Sequence, residues 1–322
     1  MTPPQPVRIL CSEREARTLA PGLQGLGRDI VLCHPGDPQA VQADIAFISR
    51  DITGRSTKFE ILPDTERFYA ALRATQRLQW LHVHSAGLDR DVYQEMRQRG
   101  ARVTASHGAS DAVVAQMAIT GLLALARRLP LLMQAQQRHA WEPLLDERMP
   151  RDLEGQRAVV VGWGGIGQRI GRLLQALGLQ VSVARHGDAP AGDGIRTVRY
   201  GGLRELLPDA SWLVLACPLT DTTRGLVGAA ILAALPPHAC LINVARGHVV
   251  DEPALIQALR AGRLGGAFLD VFHHEPLPAA SPLWDLDRVI VSPHSAGFSD
   301  GNAVRVRQIF LENLKRWLQG CL

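Results

Sequence analysis

Short strand-like runs, most of them apolar, recur at residues 7–10, 30–33, 44–49, 78–83 and 102–104, separated by polar or Gly/Pro-rich segments. Runs of that length and spacing predict the buried strands of a small α/β domain. At 158–161 a valine-rich strand pattern returns and meets a glycine turn. Beyond the turn, Ile166, Ile170, Leu173, Leu174 and Leu177 recur at helical spacing, and a second apolar run follows at 179–183. That is the pattern of a βαβ unit, and runs at 212–217, 241–244, 267–271 and 289–291 predict further strands. Between the two sets, residues 110–129 form a long apolar helical pattern that Ser110 or Asp111 can cap and Pro130 follows, a predicted link between domains. Residues 131–150 then read as an arm, in which Trp141 is either an anchor in a subunit interface or ordinary surface packing.

The glycine turn carries the first candidate chemistry. Gly162, Gly164 and Gly167 have the G-x-G-x-x-G spacing, which alone marks turns as often as sites. Here it follows a strand and opens a helix, where it predicts a tight turn, close approach of a pyrophosphate and binding of phosphate at the helix amino end. At the end of the second strand stand Arg185 and His186, where an NAD-binding unit usually places an acidic residue for the ribose hydroxyls. Arginine suits the 2′-phosphate of NADP, so NADP is the expected cofactor, with NAD possible and Asp188 an alternative ribose ligand. The turn beginning Cys217, Pro218 lies at the carboxyl end of the next strand, over the same crevice.

Three further strand ends present Arg246, Glu275 and His294. A ketone beside a carboxylate needs a cation to hold the carboxylate and an acid to protonate the carbonyl oxygen as hydride arrives. Arginine supplies the permanent bidentate fork, and histidine a proton that moves near neutral pH. Glu275 on the far ring nitrogen would fix the histidine tautomer and favour its charged form. Taken singly, each residue has an ordinary reading as a surface charge or a turn histidine; their shared position after a dinucleotide fold favours a site. In the first domain, Ser85, Ala86 and Gly87 end a strand and either form a plain turn or leave N–H groups open to an anion. His82 and His84 alternate along that strand without a partner at ligand spacing, and no metal is expected.

Composition narrows the classes. A length of 322 residues with 46% hydrophobic residues suits about two domains with buried cores. The net charge of +4 is spread along the chain, which disfavours a nucleic-acid partner. Five scattered cysteines without a CxxC pair fit reduced thiols and a cytoplasmic protein. No apolar run reaches bilayer-spanning length and the amino end lacks signal-peptide character, so no membrane role is expected.

With these residues in hand the chain resembles the D-isomer-specific 2-hydroxyacid dehydrogenases, on VGWGGIG from Val161, CPLTDTTRG from Cys217, NVARG from Asn243, LDVFHHEPLP from Leu269 and SPHSAG from Ser292. The wording is most similar to the glyoxylate and hydroxypyruvate reductases. In fold the resemblance implies a flavodoxin-like substrate domain, residues 1–104 and 295–322, into which a Rossmann-type doubly wound parallel sheet, residues 105–294, is inserted. It implies that Arg246 binds substrate, Glu275 supports His294, and His294 is the acid/base. It adds Gly165, Ile166, Thr223 and Asp270 to the cofactor residues and makes Ala86 and Gly87 carboxylate-binding amides. Gln116 stands where many members have glutamate. The implied activity is reduction of a small 2-keto acid by NAD(P)H in a homodimer whose Trp141 reaches a neighbour's site. The alternatives are a dehydrogenase of a larger phosphorylated or aromatic 2-hydroxy acid, and a Rossmann-fold sensor that binds cofactor without turnover.

Overall fold

The computed structural model describes residues 5–57 and 59–322. The chain divides into two compact units, Met1–Ser110 with Ser299–Leu322, and Asp111–Phe298. Each division falls a few residues later than the motifs suggest, for a packing reason. Ala105 completes a strand and Ala109 is buried in the first unit's core, while Ala296 is buried in the second unit's.

The first unit is built on β1 (Val7–Leu10), β2 (Ile30–Cys33), β3 (Ile45–Ile48), β4 (Trp80–Val83) and β5 (Arg102–Ala105). All pair in parallel in the order β2-β1-β3-β4-β5, the flavodoxin-like winding. β3 and β4 are buried at every position, which is why they read as continuous apolar runs instead of alternating ones. The terminal helix Asn302–Leu318 closes one face of this sheet through Val306, Phe310 and Leu314, with Phe310 stacked 4.4 Å from Phe47.

The second unit carries β6 (Arg157–Val161), β7 (Gln180–Arg185), β8 (Arg196–Arg199), β9 (Ala210–Leu215), β10 (Cys240–Asn243), β11 (Gly266–Leu269) and β12 (Val289–Val291). They form one parallel sheet in the order β12-β11-β10-β9-β6-β7-β8. This is a Rossmann sheet whose winding reverses between β6 and β9, so the ligand crevice lies at the carboxyl ends of those two strands. Apolar layers cover both faces. β8 was not expected: its sequence, RTVR, is an edge strand with charged ends and lacks an apolar run.

Three local expectations change. The linking helix ends at Ala126, Arg128 takes a left-handed φ of 59°, and a second helix runs Leu129–Gln137 with Pro130 in its first turn. Proline there starts a helix, because its missing N–H has no partner to lose, so the extended arm begins only after residue 137. Leu173, expected in the core, is 38% exposed; Gly171 takes the buried place instead, lying against the Trp163 ring. Among the described residues no single helix is long and apolar enough to cross a membrane, and the one bent pair that passes on length and composition includes the partly buried linking helix.

Candidate active site

The glycine turn shows why each glycine is required. Gly162 leaves β6 with φ of 98°, and a Cβ there would lie 2.6 Å from the backbone N and Cα of Cys217 at the end of β9. The two strand ends flanking the crevice thus touch through a position only glycine can fill. Gly167 lies against the Gly162 carbonyl, which brings the helix Gly165–Ala176 down onto the strand. At Gly165 a Cβ would strike the Asp111 carboxylate. Gly164 is the N-cap of the helix, and a Cβ there would meet nothing within 4 Å; the first N–H groups of the helix have no intrahelical acceptor, as a phosphate site at a helix amino end requires. Ile166 is half-buried in the first turn. These residues fit a dinucleotide pyrophosphate.

At the end of β7, Arg185 is half-buried and donates from Nη1 to the Ala189 carbonyl at 3.2 Å; the His186 ring stands 6.5 Å from that of Tyr200. Arg199 of β8 is the cross-strand partner of Arg185, and both its Nε and Nη2 bond to the Asp188 carboxylate. Asp188, the alternative ribose ligand, is therefore engaged by a guanidinium. After β9, burial pushes the Cys217 thiol up to about 12, so this residue contributes backbone wall and no nucleophile. Thr223 is fully buried, donates to the Pro218 carbonyl at 2.6 Å and accepts from Thr220 N–H at 2.8 Å, which staples the turn from beneath.

The remaining groups stand after β10, β11 and β12. Arg246 is half-buried and donates from Nη1 to the Ala245 carbonyl at 2.8 Å, while Asn243 brackets the turn by accepting from Ala245 N–H and donating to the Arg246 carbonyl. Glu275 accepts from Phe272 N–H at one oxygen, 3.0 Å, and from His294 Nδ1 at the other, 2.7 Å. With a side chain only 14% exposed it is well placed to hold the ring, whereas the His294 side chain is 49% exposed. Because Nδ1 is held by Glu275, Nε2 is the nitrogen left for exchange with a ligand. Both the resemblance and the strand-end pattern pointed to this pair, and the structure brings the two residues together.

Asp270, assigned to the cofactor residues by the resemblance, has a set of hydrogen bonds that the sequence did not announce. It is 2% exposed and accepts from Ser292 Oγ at 2.7 Å, Ser295 N–H at 2.8 Å and Ala296 N–H at 3.1 Å, while its own carbonyl accepts from His294 N–H at 2.8 Å. Burial raises its carboxyl pKa and these donors oppose the shift. His294 sits at φ of 51°, a left-handed conformation uncommon for histidine, and this ring of bonds holds it there. The signal was the apolar run ending in Asp270, a carboxylate that burial obliges to find donors.

In the first unit, Ala86 and Gly87 follow β4, and neither N–H donates to any other described residue; Ser85 Oγ donates to the Gly87 carbonyl at 2.7 Å. The amides are open, as an anion site requires. His82 and His84 are buried among hydroxyls and belong to no metal-holding group among the described residues. A cavity of about 320 Å³ bounded by Arg128, Gln156, Trp212, His238 and Arg288 opens at the amino ends of the second unit's strands and contains none of these site residues.

Comparison with known proteins places the chain. The family model described as "D-isomer specific 2-hydroxyacid dehydrogenase, NAD binding domain" matches residues 119–296. The chain is 31% identical to a glyoxylate reductase of Korarchaeum cryptofilum over 80% of its own length and 77% of that protein's. It is 36% identical to an (S)-sulfolactate dehydrogenase of Chromohalobacter salexigens, covering 77% and 78%. Among solved structures, a D-isomer-specific 2-hydroxyacid dehydrogenase from Xanthobacter autotrophicus, in complex with NADPH and MES, superposes with a TM-score of 0.75 at 28% identity over 98% of this chain and 96% of that one. The chain belongs to the D-isomer-specific 2-hydroxyacid dehydrogenase family.

Proposed function

We propose that the protein reduces a small 2-keto acid of the glyoxylate or hydroxypyruvate type to the D-2-hydroxy acid, with NADPH as the preferred reductant. The observation that carries this reading is the 2.7 Å bond from His294 Nδ1 to Glu275 on a strand edge that also bears Arg246. Bound dihydronicotinamide would supply the hydride. Arg246 holds the substrate carboxylate and draws electron density from the adjacent carbonyl. His294 delivers a proton from Nε2 to the ketone oxygen, and Glu275, bonded to Nδ1, holds the ring in orientation for that transfer. In the first unit, Ala86 and Gly87 leave their own N–H groups open to an anion. A cofactor-binding sensor needs no proton donor, so the His294–Glu275 pair favours the enzyme.

Arg185 supports NADPH, since a guanidinium at the end of β7 attracts a 2′-phosphate and Arg199 already neutralises Asp188. The glyoxylate reductase relative supports the substrate class. A panel of 2-keto acids, assayed with NADPH and with NADH, tests the whole reading. Turnover of glyoxylate or hydroxypyruvate with NADPH favoured at least about tenfold is expected; absence of turnover on every 2-keto acid, with cofactor still bound, would return the protein to the sensor reading.

The working form is a homodimer. Trp141 is 97% exposed, and Met133, Leu145 and Met149 of the same stretch are each more than half exposed, an apolar run that a second copy would cover. Light scattering should give twice the chain mass; a monomer at assay concentration rejects both the dimer and any role of Trp141 in a neighbour's site. All five cysteines are free thiols, which suits the cytoplasm.

A further inference from the structure

Two histidines outside the proton-donor pair join the turn that carries Arg246 to the turn that carries Glu275. The rings of His248 and His273 stack with centroids 4.7 Å apart and planes 14° from parallel. His273 also donates from Nε2 to the Val250 carbonyl at 2.7 Å, and its backbone N–H donates to Glu252 at 3.0 Å. Beside the stack, Gly247 lies so close to the Phe272–His273 backbone that a Cβ would collide with the Phe272 carbonyl and stand 2.6 Å from His273 N. The two turns are thus fastened backbone to backbone, ring to ring, and ring to carbonyl. Phe272, next to the stacked ring, gives its N–H to Glu275, whose other oxygen holds His294.

We infer that His248 and His273 form a positioning pair that sets the distance between the substrate clamp Arg246 and the proton-donating His294–Glu275 pair. Neither ring touches the reacting atoms in this assignment. Their work is to keep two separately folded turns in one register, so that a carboxylate held by Arg246 presents its ketone oxygen to His294. A loosened pair would still bind carboxylate, because Arg246 remains, and would lose rate, because near-attack geometry is sensitive to displacements of about 1 Å. This inference rests on the roles given above to Arg246 and His294.

The test compares His248→Ala, His273→Ala and the double variant with the unmodified enzyme. Reading kcat on glyoxylate beside the dissociation constant of oxamate, an unreactive carboxylate, we expect kcat to fall about tenfold while oxamate binding changes by less than about twofold. The double variant should be no worse than either single one, since the two rings act as a unit. His273→Phe, which keeps a stacked ring, should recover part of the lost kcat. Unchanged kcat in the alanine variants, additive losses, or equal loss of kcat and oxamate binding would overturn the inference. If the alanine variants do not fold, His273→Gln, which keeps a donor for Val250 and removes the stack, takes their place, and full kcat in it overturns the inference equally. Should His294→Ala also retain full kcat, the reading of the site fails first, so the two failures are distinguishable.

Discussion

The two units hold histidines of opposite character at comparable places near the carboxyl ends of parallel strands. His82 on β4 and His84 just beyond it are buried, and burial drives both down to about 3. Ser106 Oγ donates to the Val83 carbonyl, so His82 Nε2 donates to Ser106 and Nδ1 accepts from Thr104, whose oxygen takes the Trp80 N–H. That network is satisfied only by a neutral ring. His84 pairs with Thr53 Oγ1. His294 is half-exposed and faces a carboxylate in place of a hydroxyl. The same side chain is thus a neutral ring among core hydroxyls in one unit and a half-exposed ring on a carboxylate in the other, and the difference lies in solvent access and in the charge of the partner.

The comparison breaks most readily at His294. His294→Ala should lower kcat by at least about 100-fold while leaving the cofactor dissociation constant, read by fluorescence titration, unchanged; near-normal turnover would put His294 in the same structural class as His82. Next in size, Arg246→Lys keeps a charge and loses the fork, and kcat/KM should drop roughly ten- to 150-fold, the range of one charge-assisted bond. A lysine enzyme with unaltered kinetic constants would show that the carboxylate is held elsewhere.

Arg185→Asp should shrink or invert the NADPH preference by about tenfold with the rate at saturating cofactor largely kept. Equal use of the two cofactors by the unmodified protein would show that Arg185 does not read the 2′-phosphate.

The smallest expected effect sharpens the other side of the comparison. Because His82 and His84 stay neutral in the folded state to about pH 3 and protonate in the unfolded chain near 6.5, unfolding takes up protons below that value. Stability is therefore undiminished above about pH 6.5 and is lost as pH falls toward 3, by up to about 1.4 kcal/mol per pH unit for each ring. Urea unfolding at pH 7.5, 6.5 and 5.5 should show the decline, and His84→Gln should flatten it. A slope unchanged in that variant would mean His84 carries no share of the acid sensitivity.

Much of the fold was legible because buried parallel strands such as β3, β6, β9 and β10 are apolar at nearly every position, and most strands among the described residues announce themselves that way. β8 was silent, since an edge strand needs no apolar face and RTVR looks like a loop. Pro130 misled in the other direction: in sequence it marks an end, and only the turn at Arg128 shows that it opens a helix. In the site, the glycines and the strand-end residues were readable from spacing and residue type. The contacts that hold Asp270, Thr223, His248 and His273 were not, because each residue works through partners between 3 and 26 residues away that no local pattern announces.

By itself the sequence determined which strands are buried, where the glycine turn between strand and helix lies, and which ionisable residues end the strands, since periodicity, glycine spacing and residue chemistry are local properties of a chain. Tertiary structure alone decided that β6 and β9 abut through Gly162 and Cys217, that Glu275 reaches His294 from 19 residues away, that Arg199 engages Asp188 from the next strand, and that the His248 and His273 rings stack. These are distances between segments remote in sequence, set by strand order and register, and strand order follows from how whole apolar faces pack and not from any one segment's pattern.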